Sequence, residues 1–336
     1  MELHEIYQEM RDDMLLIEKE LYQAIERSNS SLAEPALHLL KAGGKRLRPL
    51  FVLLSGCLGN YRLEHLKLVA VPLELIHMAT LVHDDIIDDA DLRRGQPTVR
   101  AKWDNQIALY TGDFILAQAL QYISQLKEAR VHQILSQALV QMGLGEIYQL
   151  RDFFNVNQHL RQYLQRIKRK TALLISVSCQ LGGQVSQLPA HAVQKLYLFG
   201  YYAGMAFQIT DDLLDLIGDR KTTGKPHGSD VRQGNITLPL IYALNQSESR
   251  SQVLPLIRQI QEITSSSPSR AESAHQLDHL TRRLIQIVKE AGGIQYAETL
   301  ANRYLIKAKN ALSSFPPSRE RERLIHVADA IARRQY

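Results

Sequence analysis

Two aspartate clusters are the residues most able to do chemistry in this chain. Leu81-Val82-His83-Asp84-Asp85-Ile86-Ile87-Asp88-Asp89 contains the pattern Asp-Asp-x-x-Asp, which returns as Asp211-Asp212-Leu213-Leu214-Asp215. Both copies lie among aliphatic residues. Carboxylates so placed repel one another and resist burial unless a positive charge neutralises them. An all-oxygen, anionic donor set suits a hard divalent cation, Mg2+ before others. A single such motif is ordinarily a solvated helix face, but two copies with aliphatic neighbours are not. The aspartate spacing does not match an EF-hand loop.

On a helix, Asp84 and Asp88 share one face, with Asp85 turned by about 100°. Thr80, His77 and Leu73 continue that face backwards. Gln208, Asp211, Asp212 and Asp215 form the second acidic face, with Gly204 one turn earlier. Two such helices facing each other would hold metal between their carboxylates, below an apolar channel lined by small residues. Basic clusters recur near these motifs: Gly43-Gly44-Lys45-Arg46-Leu47-Arg48-Pro49 reads as a glycine-opened loop with three cations, and Arg93-Arg94-Gly95 follows the first motif. Lys170-Thr171 sits in a helix, and Lys221 to Pro226 follows the second motif. Arg suits bidentate phosphate contacts and Lys point-charge ones. Taken singly, each cluster reads as a solvated run, and His77 as a core histidine. Acidic groups for metal beside basic groups for phosphate point to a diphosphate substrate.

The elements that must position these residues are helical. Leu3, Ile6, Met10, Met14, Ile17, Leu21 and Ile25 step by three and four along one first helix. Helices are also expected over 66–92, 107–127, 131–150, 160–181, 190–217 and 274–291, while alternating strand patterns are nearly absent. No break reads as an interdomain linker, so 1–336 is expected to form a single all-α domain, with 244–275 a polar and weakly patterned excursion. The chain of 336 residues carries a net charge of +5, too modest and too scattered for a nucleic-acid binder. Cys57 and Cys179 offer neither a disulfide framework nor metal spacing. There is no apolar signal region and no run of about 18 uninterrupted apolar residues. The expectation is a soluble, cytoplasmic protein.

The motif set is highly specific as a whole. Gly-Gly-Lys-Arg-Leu-Arg-Pro, Glu-Leu-Ile-His-x-Ala-Thr-Leu-x-His-Asp-Asp-x-x-Asp, Arg-Arg-Gly, Lys-Thr and Phe-Gln-Ile-x-Asp-Asp-x-x-Asp, in that order, resemble the trans-polyprenyl diphosphate synthases from about residue 25 to the end. The tail of the second motif, through Gly228-Ser229-Asp230 to Leu238-Pro239, is most like the catalytic component of the heptaprenyl diphosphate synthases. Asn235 stands where many relatives carry Lys, which favours the long-chain subgroup. The resemblance implies an isoprenoid-synthase-type helical bundle around a central apolar cavity. It implies that Lys45, Arg48, His77 and Arg94 hold isopentenyl diphosphate. Arg93, Lys170, Thr171, Gln208 and Lys225 would contact the allylic diphosphate, with Lys170 counted among the catalytic groups. Asp84, Asp85, Asp88, Asp211 and Asp215 would hold three Mg2+, with Asp212 a motif member standing one step behind. Ala79 and Thr80, one turn before Asp84, would leave the product channel open and give a long product, heptaprenyl diphosphate for a menaquinone side chain. The allylic primer would be farnesyl diphosphate or longer. The implied partner is a small regulatory component or a second copy of the chain, with at most transient membrane contact; the C-terminal Arg333-Arg334 either approaches the site or frays. Other readings are a homodimeric hexaprenyl, octaprenyl or solanesyl diphosphate synthase, a terpene cyclase, and a non-catalytic regulatory subunit of the same fold. The cyclase gives no reason for the Gly-Gly-Lys-Arg loop, and the subunit none for two intact acidic motifs.

Overall fold

The computed structural model describes residues 2–27, 31–218, 227–265 and 270–332. The all-α expectation holds. The strand pairing among the described residues is one two-residue ladder, Leu92–Arg93 against Gln96–Pro97. Contacts divide the chain into two compact units. One comprises Met1–Ala138, Leu174–Gly200 and Lys309–Val327; the other comprises Leu139–Leu173, Tyr201–Ala308 and Ala328–Tyr336.

In the first unit, the 25-residue helix Leu63–Ile87 packs most extensively against Asn105–Ile123 and also against Leu47–Gly56 and Arg11–Glu26. It is long and apolar enough to cross a membrane, but 67% of its most apolar window is buried inside the protein, as a core helix requires. Gly112 lets the Asn105–Ile123 helix approach His83, whose imidazole occupies the space a Cβ at that position would need. The expected first helix is two helices, Leu3–Glu9 and Arg11–Glu26, broken at Met10, where the backbone leaves helical geometry (φ −98°, ψ 12°). The apolar stripe survives the break, with Ile6, Met10, Ile17, Leu21 and Ile25 all buried, which is why periodicity alone reads straight through it. The expected loop from Gly43 to Pro49 is shorter: helix Leu47–Gly56 begins inside it, and Pro49 is tolerated because the first turn needs no backbone donor there.

The second unit has its own core, in which Tyr163, Ile209, Leu213, Ile236, Leu240, Val253, Ile260 and Leu284 are packed together. The stretch 160–181 is not one uniform α-helix. Leu160–Ile167 passes into a π-helical turn, Lys168–Ala172, before α-helix resumes at Leu173–Val185. The polar stretch 244–275 contains helix Ser247–Ser265 and the start of Arg270–Glu290. Val253, Leu256, Ile257 and Ile260 of the first helix are buried, with Leu254 and Ile263 partly buried against the same core, a stripe too sparse to stand out in a window dominated by Ser, Gln and Glu.

Candidate active site

The residues singled out by sequence fall into two groups, one in each unit. The first group gathers at the C-terminal end of Leu63–Ile87. That end closes with Asp89 in the left-handed region (φ 50°), the Ala90 amide bonded to the Asp85 carbonyl at 3.0 Å and the Asp89 amide to the Ile86 carbonyl at 3.4 Å. This is a Schellman closure with aspartate where glycine is usual, and a short polar side chain tolerates that conformation better than most. Asp84, Asp85 and Asp88 therefore sit among outward-pointing carbonyls at the negative end of the helix dipole, with no basic residue in the last turn. Carboxylates there oppose the dipole, and a bound cation would offset both.

Beyond the closure, Arg94 (φ 53°) and Gly95 (φ 75°) both have positive φ, forming the two-residue turn that suits strand twist. A hairpin this short needs external support. Thr98 donates its hydroxyl to the Ala90 carbonyl at 2.7 Å, and Arg100 pairs with both Asp89 and Asp91. The hairpin aims its two arginines differently. Arg93 makes a fork-to-fork pair with buried Asp85, at 2.7, 2.9 and 3.1 Å. The Arg94 guanidinium lies over Gly44, where a Cβ would come within 2.5 Å of it.

His77 is half-buried among arginines. Burial holds its imidazole well below the usual range, and Arg48, Arg94, Arg93 and Arg46 push in the same direction, so it is neutral. Burial also lowers Arg48 to about 10, with Arg94 adding to the shift and Glu74 opposing it. Arg94 is lowered chiefly by burial as well, with Arg46 next. Arg46 itself is spoken for: it pairs with Glu18 at 2.8 and 2.9 Å and with Glu74 at 3.3 Å, and it donates to the Leu40 carbonyl. Among the described residues neither Arg48 nor Arg94 has an ion pair, and Arg48 Nε is buried without a hydrogen-bond partner. The cluster is short of negative charge, and a multiply charged anion would supply it.

The second group lies on the Ala190–Ile217 helix and the π-turn. Gly204 sits against that turn, where a Cβ would fall 2.6 Å from Ala172 Cα. The turn directs Lys170 toward Gln149 (3.1 Å) and Glu146 (3.9 Å) and brings the Thr171 hydroxyl to Gln208 Oε1 at 2.5 Å. Gln208 in turn donates to Asp212 Oδ1 at 2.8 Å, and Tyr163 donates to Asp212 Oδ2 at 2.7 Å. Asp212 thus faces inward with both oxygens engaged, and burial pushes its carboxyl up to about 7, with Asp230 adding to the rise. Asp211, turned from Asp212 by about 100°, is exposed. Asp215 accepts the Asp230 amide at 3.1 Å. This helix too ends with no basic residue in its last turn.

No three His, Cys, Asp or Glu side chains among the described residues form a ready-made metal cage. That arrangement still fits Mg2+, which is commonly held by one or two carboxylates with the remaining positions filled by water and substrate phosphate. Asp84 and Asp88 in the first group, and Asp211 and Asp215 in the second, are the candidate donors; Asp85 is engaged by Arg93 in this state. Lys225 and Arg333-Arg334 lie outside the described residues. Ala79 is buried, and Thr80 is half-buried with its hydroxyl on the His77 carbonyl at 2.8 Å. Sequence reasoning counted Arg46 with the loop's outward cations, whereas it is interior. It missed Tyr7, Glu18 and Tyr163, which reach the site from distant sequence. Glu74 left one signal: it is the lone carboxylate within the most apolar part of its helix.

Residues 29–274 match the family described as polyprenyl synthetase. The chain is 46% identical to heptaprenyl diphosphate synthase component 2 of Bacillus subtilis, over 98% of this chain and 90% of that one. Its structure resembles that of heptaprenyl diphosphate synthase from Staphylococcus aureus (39% identity, TM-score 0.87, 97% and 98% of the two chains covered). It also resembles a polyprenyl synthase from Caulobacter crescentus complexed with calcium and isoprenyl diphosphate (30% identity, TM-score 0.88, 99% and 98% covered).

Proposed function

The chain belongs to the polyprenyl synthetase family, and from that premise we propose how its residues perform the reaction. It is a medium- to long-chain trans-prenyltransferase that extends an allylic diphosphate with isopentenyl units. The observation that carries the residue assignment is the arginine cluster around neutral His77, which lacks the negative charge a diphosphate would bring.

Lys45, Arg48 and Arg94 bind the isopentenyl diphosphate, with neutral His77 as a hydrogen-bonding partner rather than a fourth charge. Lys170, Thr171, Gln208, Arg93 and Lys225 hold the allylic diphosphate. Asp84, Asp85, Asp88, Asp211 and Asp215 are the candidate donors to divalent metal, magnesium by the family's usage and three ions by our reading. The metal, when bound, offsets charge on the departing diphosphate. The allylic C–O bond breaks, and the carbon it leaves bonds to the isopentenyl double bond held beside it. A proton then leaves for the released diphosphate, regenerating an allylic product one unit longer. Aliphatic side chains around the aspartates exclude the water that would quench the cation. Asp212 stands behind Gln208 and fixes its orientation.

The product is heptaprenyl diphosphate, serving a menaquinone side chain, and the enzyme works in the cytoplasm with a second, non-identical component. The name "component 2" carried by the Bacillus relative supports that arrangement. Exposed Val140, Leu144, Ile147, Tyr148 and Leu150 on Ala129–Arg151, and Leu109, Tyr110 and Leu120 on Asn105–Ile123, supply apolar surface for such a partner or for a second copy. The test is product chromatography of the purified chain with farnesyl diphosphate, isopentenyl diphosphate and Mg2+. Product of seven isoprene units that requires added partner supports the two-component reading. Full turnover by the chain alone supports the homodimer, and no elongation under either condition refutes the assignment.

A further inference from the structure

The cations assigned to isopentenyl diphosphate hang on an unusual stretch of backbone. Gly43 (φ 76°), Gly44 (φ 148°) and Arg46 (φ 46°) all have positive φ, and Arg46 carries a full side chain. A non-glycine residue held there costs about 1–2 kcal/mol, so the surroundings must impose it. They do so through the Arg46 side chain, which is only 8% exposed. Its guanidinium is bound on three sides: a two-point pair with Glu18, an ion pair with Glu74, and a hydrogen bond to the Leu40 carbonyl. With Arg46 anchored inward, the residues on either side are set. Lys45 is placed at the surface, and Arg48 falls in the first turn of the helix that begins at Leu47. Gly44 offers its bare Cα to the Arg94 guanidinium.

A second anchor comes from the Leu3–Glu9 helix. The Tyr7 hydroxyl donates to the Lys45 carbonyl, pinning the peptide between Lys45 and Arg46. Tyr7, Arg11, Met14, Leu15 and Glu18 line a cleft against Gly44, Lys45 and Arg46. Tyr7 and Glu18 both precede residue 29, where the match to the family begins. Neither projects a charge that could meet a diphosphate: one is an uncharged donor already used, the other a carboxylate.

We propose that Tyr7 and Glu18 are positioning residues for the homoallylic diphosphate half-site: they lock the Gly43–Arg46 turn so that Lys45, Arg48 and Arg94 present a preformed cation set. The effect is specific to one substrate, because the turn carries no residue assigned to the allylic diphosphate. Preorganisation of this kind appears as affinity for the ligand, with little change in the step that follows binding. The proposal rests on the reading that Lys45, Arg48 and Arg94 hold isopentenyl diphosphate.

The experiment compares Tyr7→Phe, Glu18→Gln and Arg48→Gln in the assembled enzyme. It measures KM for each substrate separately, kcat and thermal midpoint. Tyr7→Phe keeps the ring and deletes only the hydroxyl; the expected result is a KM for isopentenyl diphosphate raised roughly three- to tenfold, about the scale of one hydrogen bond. The allylic KM should stay at its wild-type value, and the thermal midpoint should fall by no more than the loss of a single hydrogen bond allows. Glu18→Gln keeps an acceptor for Arg46 and should give the same one-sided signature, more strongly. An unchanged isopentenyl KM in both, beside a raised one in Arg48→Gln, overturns the positioning role and leaves the half-site standing. Equal rises in both KM values with a lowered melting point overturn it too, as the mark of a general structural defect. An unchanged isopentenyl KM in Arg48→Gln removes the half-site assignment itself.

Discussion

Replacing Gly204 by alanine should separate the allylic half of the chemistry from the rest. An added Cβ would stand 2.6 Å from Ala172 Cα, 3.0 Å from its Cβ and 3.3 Å from its carbonyl oxygen. Carbon atoms pack at about 3.5–4.0 Å, so the π-turn must retreat by roughly 1 Å. The obstructing atoms include backbone, and no rotamer change relieves them. Overpacking of this kind costs about 1–3 kcal/mol, partly offset by the gain of about 1 kcal/mol that alanine brings to a helix interior. Gly143 supplies the control: it lies inside Ala129–Arg151 with nothing within 4 Å of its notional Cβ, so Gly143→Ala keeps the gain and escapes the clash. The two variants should therefore differ by about 1–3 kcal/mol in denaturant unfolding. The π-turn carries Lys170 and Thr171, and misplacing reacting groups by about 1 Å can cost on the order of a hundredfold in rate. Steady-state assays should show Gly204→Ala losing kcat/KM for the allylic substrate on that scale, with KM for isopentenyl diphosphate unchanged. Wild-type kinetics in Gly204→Ala, or equal stability of the two variants, would refute the claim that this contact sets the π-turn.

Asp212 gives a pH signature. Its folded-state value near 7 lies above the ordinary 3.8, so its contribution to stability is complete below about pH 4 and is lost as pH rises through 7. In metal-free buffer the wild-type protein should lose stability from pH 5 to pH 8 relative to Asp212→Asn, by about 3 kcal/mol at most, since pH 5 lies two pH units below the folded value near 7; parallel melting curves across that range would contradict this. Thr80→Phe, and Ala79→Tyr if its buried site accepts the ring, should shorten the product; unchanged chain length in both would remove these residues from length control. Arg93→Gln leaves buried Asp85 without its fork partner and should destabilise the metal-free protein by about 3–5 kcal/mol, with added Mg2+ and diphosphate restoring part of the loss; a melting point indifferent to both would show that Asp85 takes no part in cation binding.

What sequence revealed and what it hid divide along one line: the range over which a signal acts. The Leu63–Ile87 and Ala190–Ile217 helices were legible because their apolar residues recur over many turns, and the acidic motifs because aspartate among aliphatics is costly without a counter-charge. The motif order carried the family. Local punctuation was harder. The break at Met10 preserves the stripe on both sides. The π-turn at Lys168–Ala172 adds one residue per turn in a segment whose side chains remain good helix formers. Arg46 looked like its outward neighbours because its partners, Glu18 and Glu74, lie 28 residues away in either direction. Tyr163 reaches Asp212 across 49 residues, with no local mark of its role. The polar helix Ser247–Ser265 was hidden by its composition, although Val253, Leu256, Ile257 and Ile260, with Leu254 and Ile263 beside them, seat it on the core.

Direct binding of a non-ionising allylic diphosphate analogue, followed calorimetrically with and without Mg2+, tests the account most sharply. Wild-type protein should bind the analogue tightly only when Mg2+ is present, and Asp84→Asn and Asp211→Asn should each lose at least about tenfold of that metal-dependent affinity, the loss of about 1.4 kcal/mol or more. Equal affinity in the presence of a chelator, or undiminished metal-dependent binding in both variants, would contradict the assignment of the two acidic motifs to the diphosphate's counter-ions.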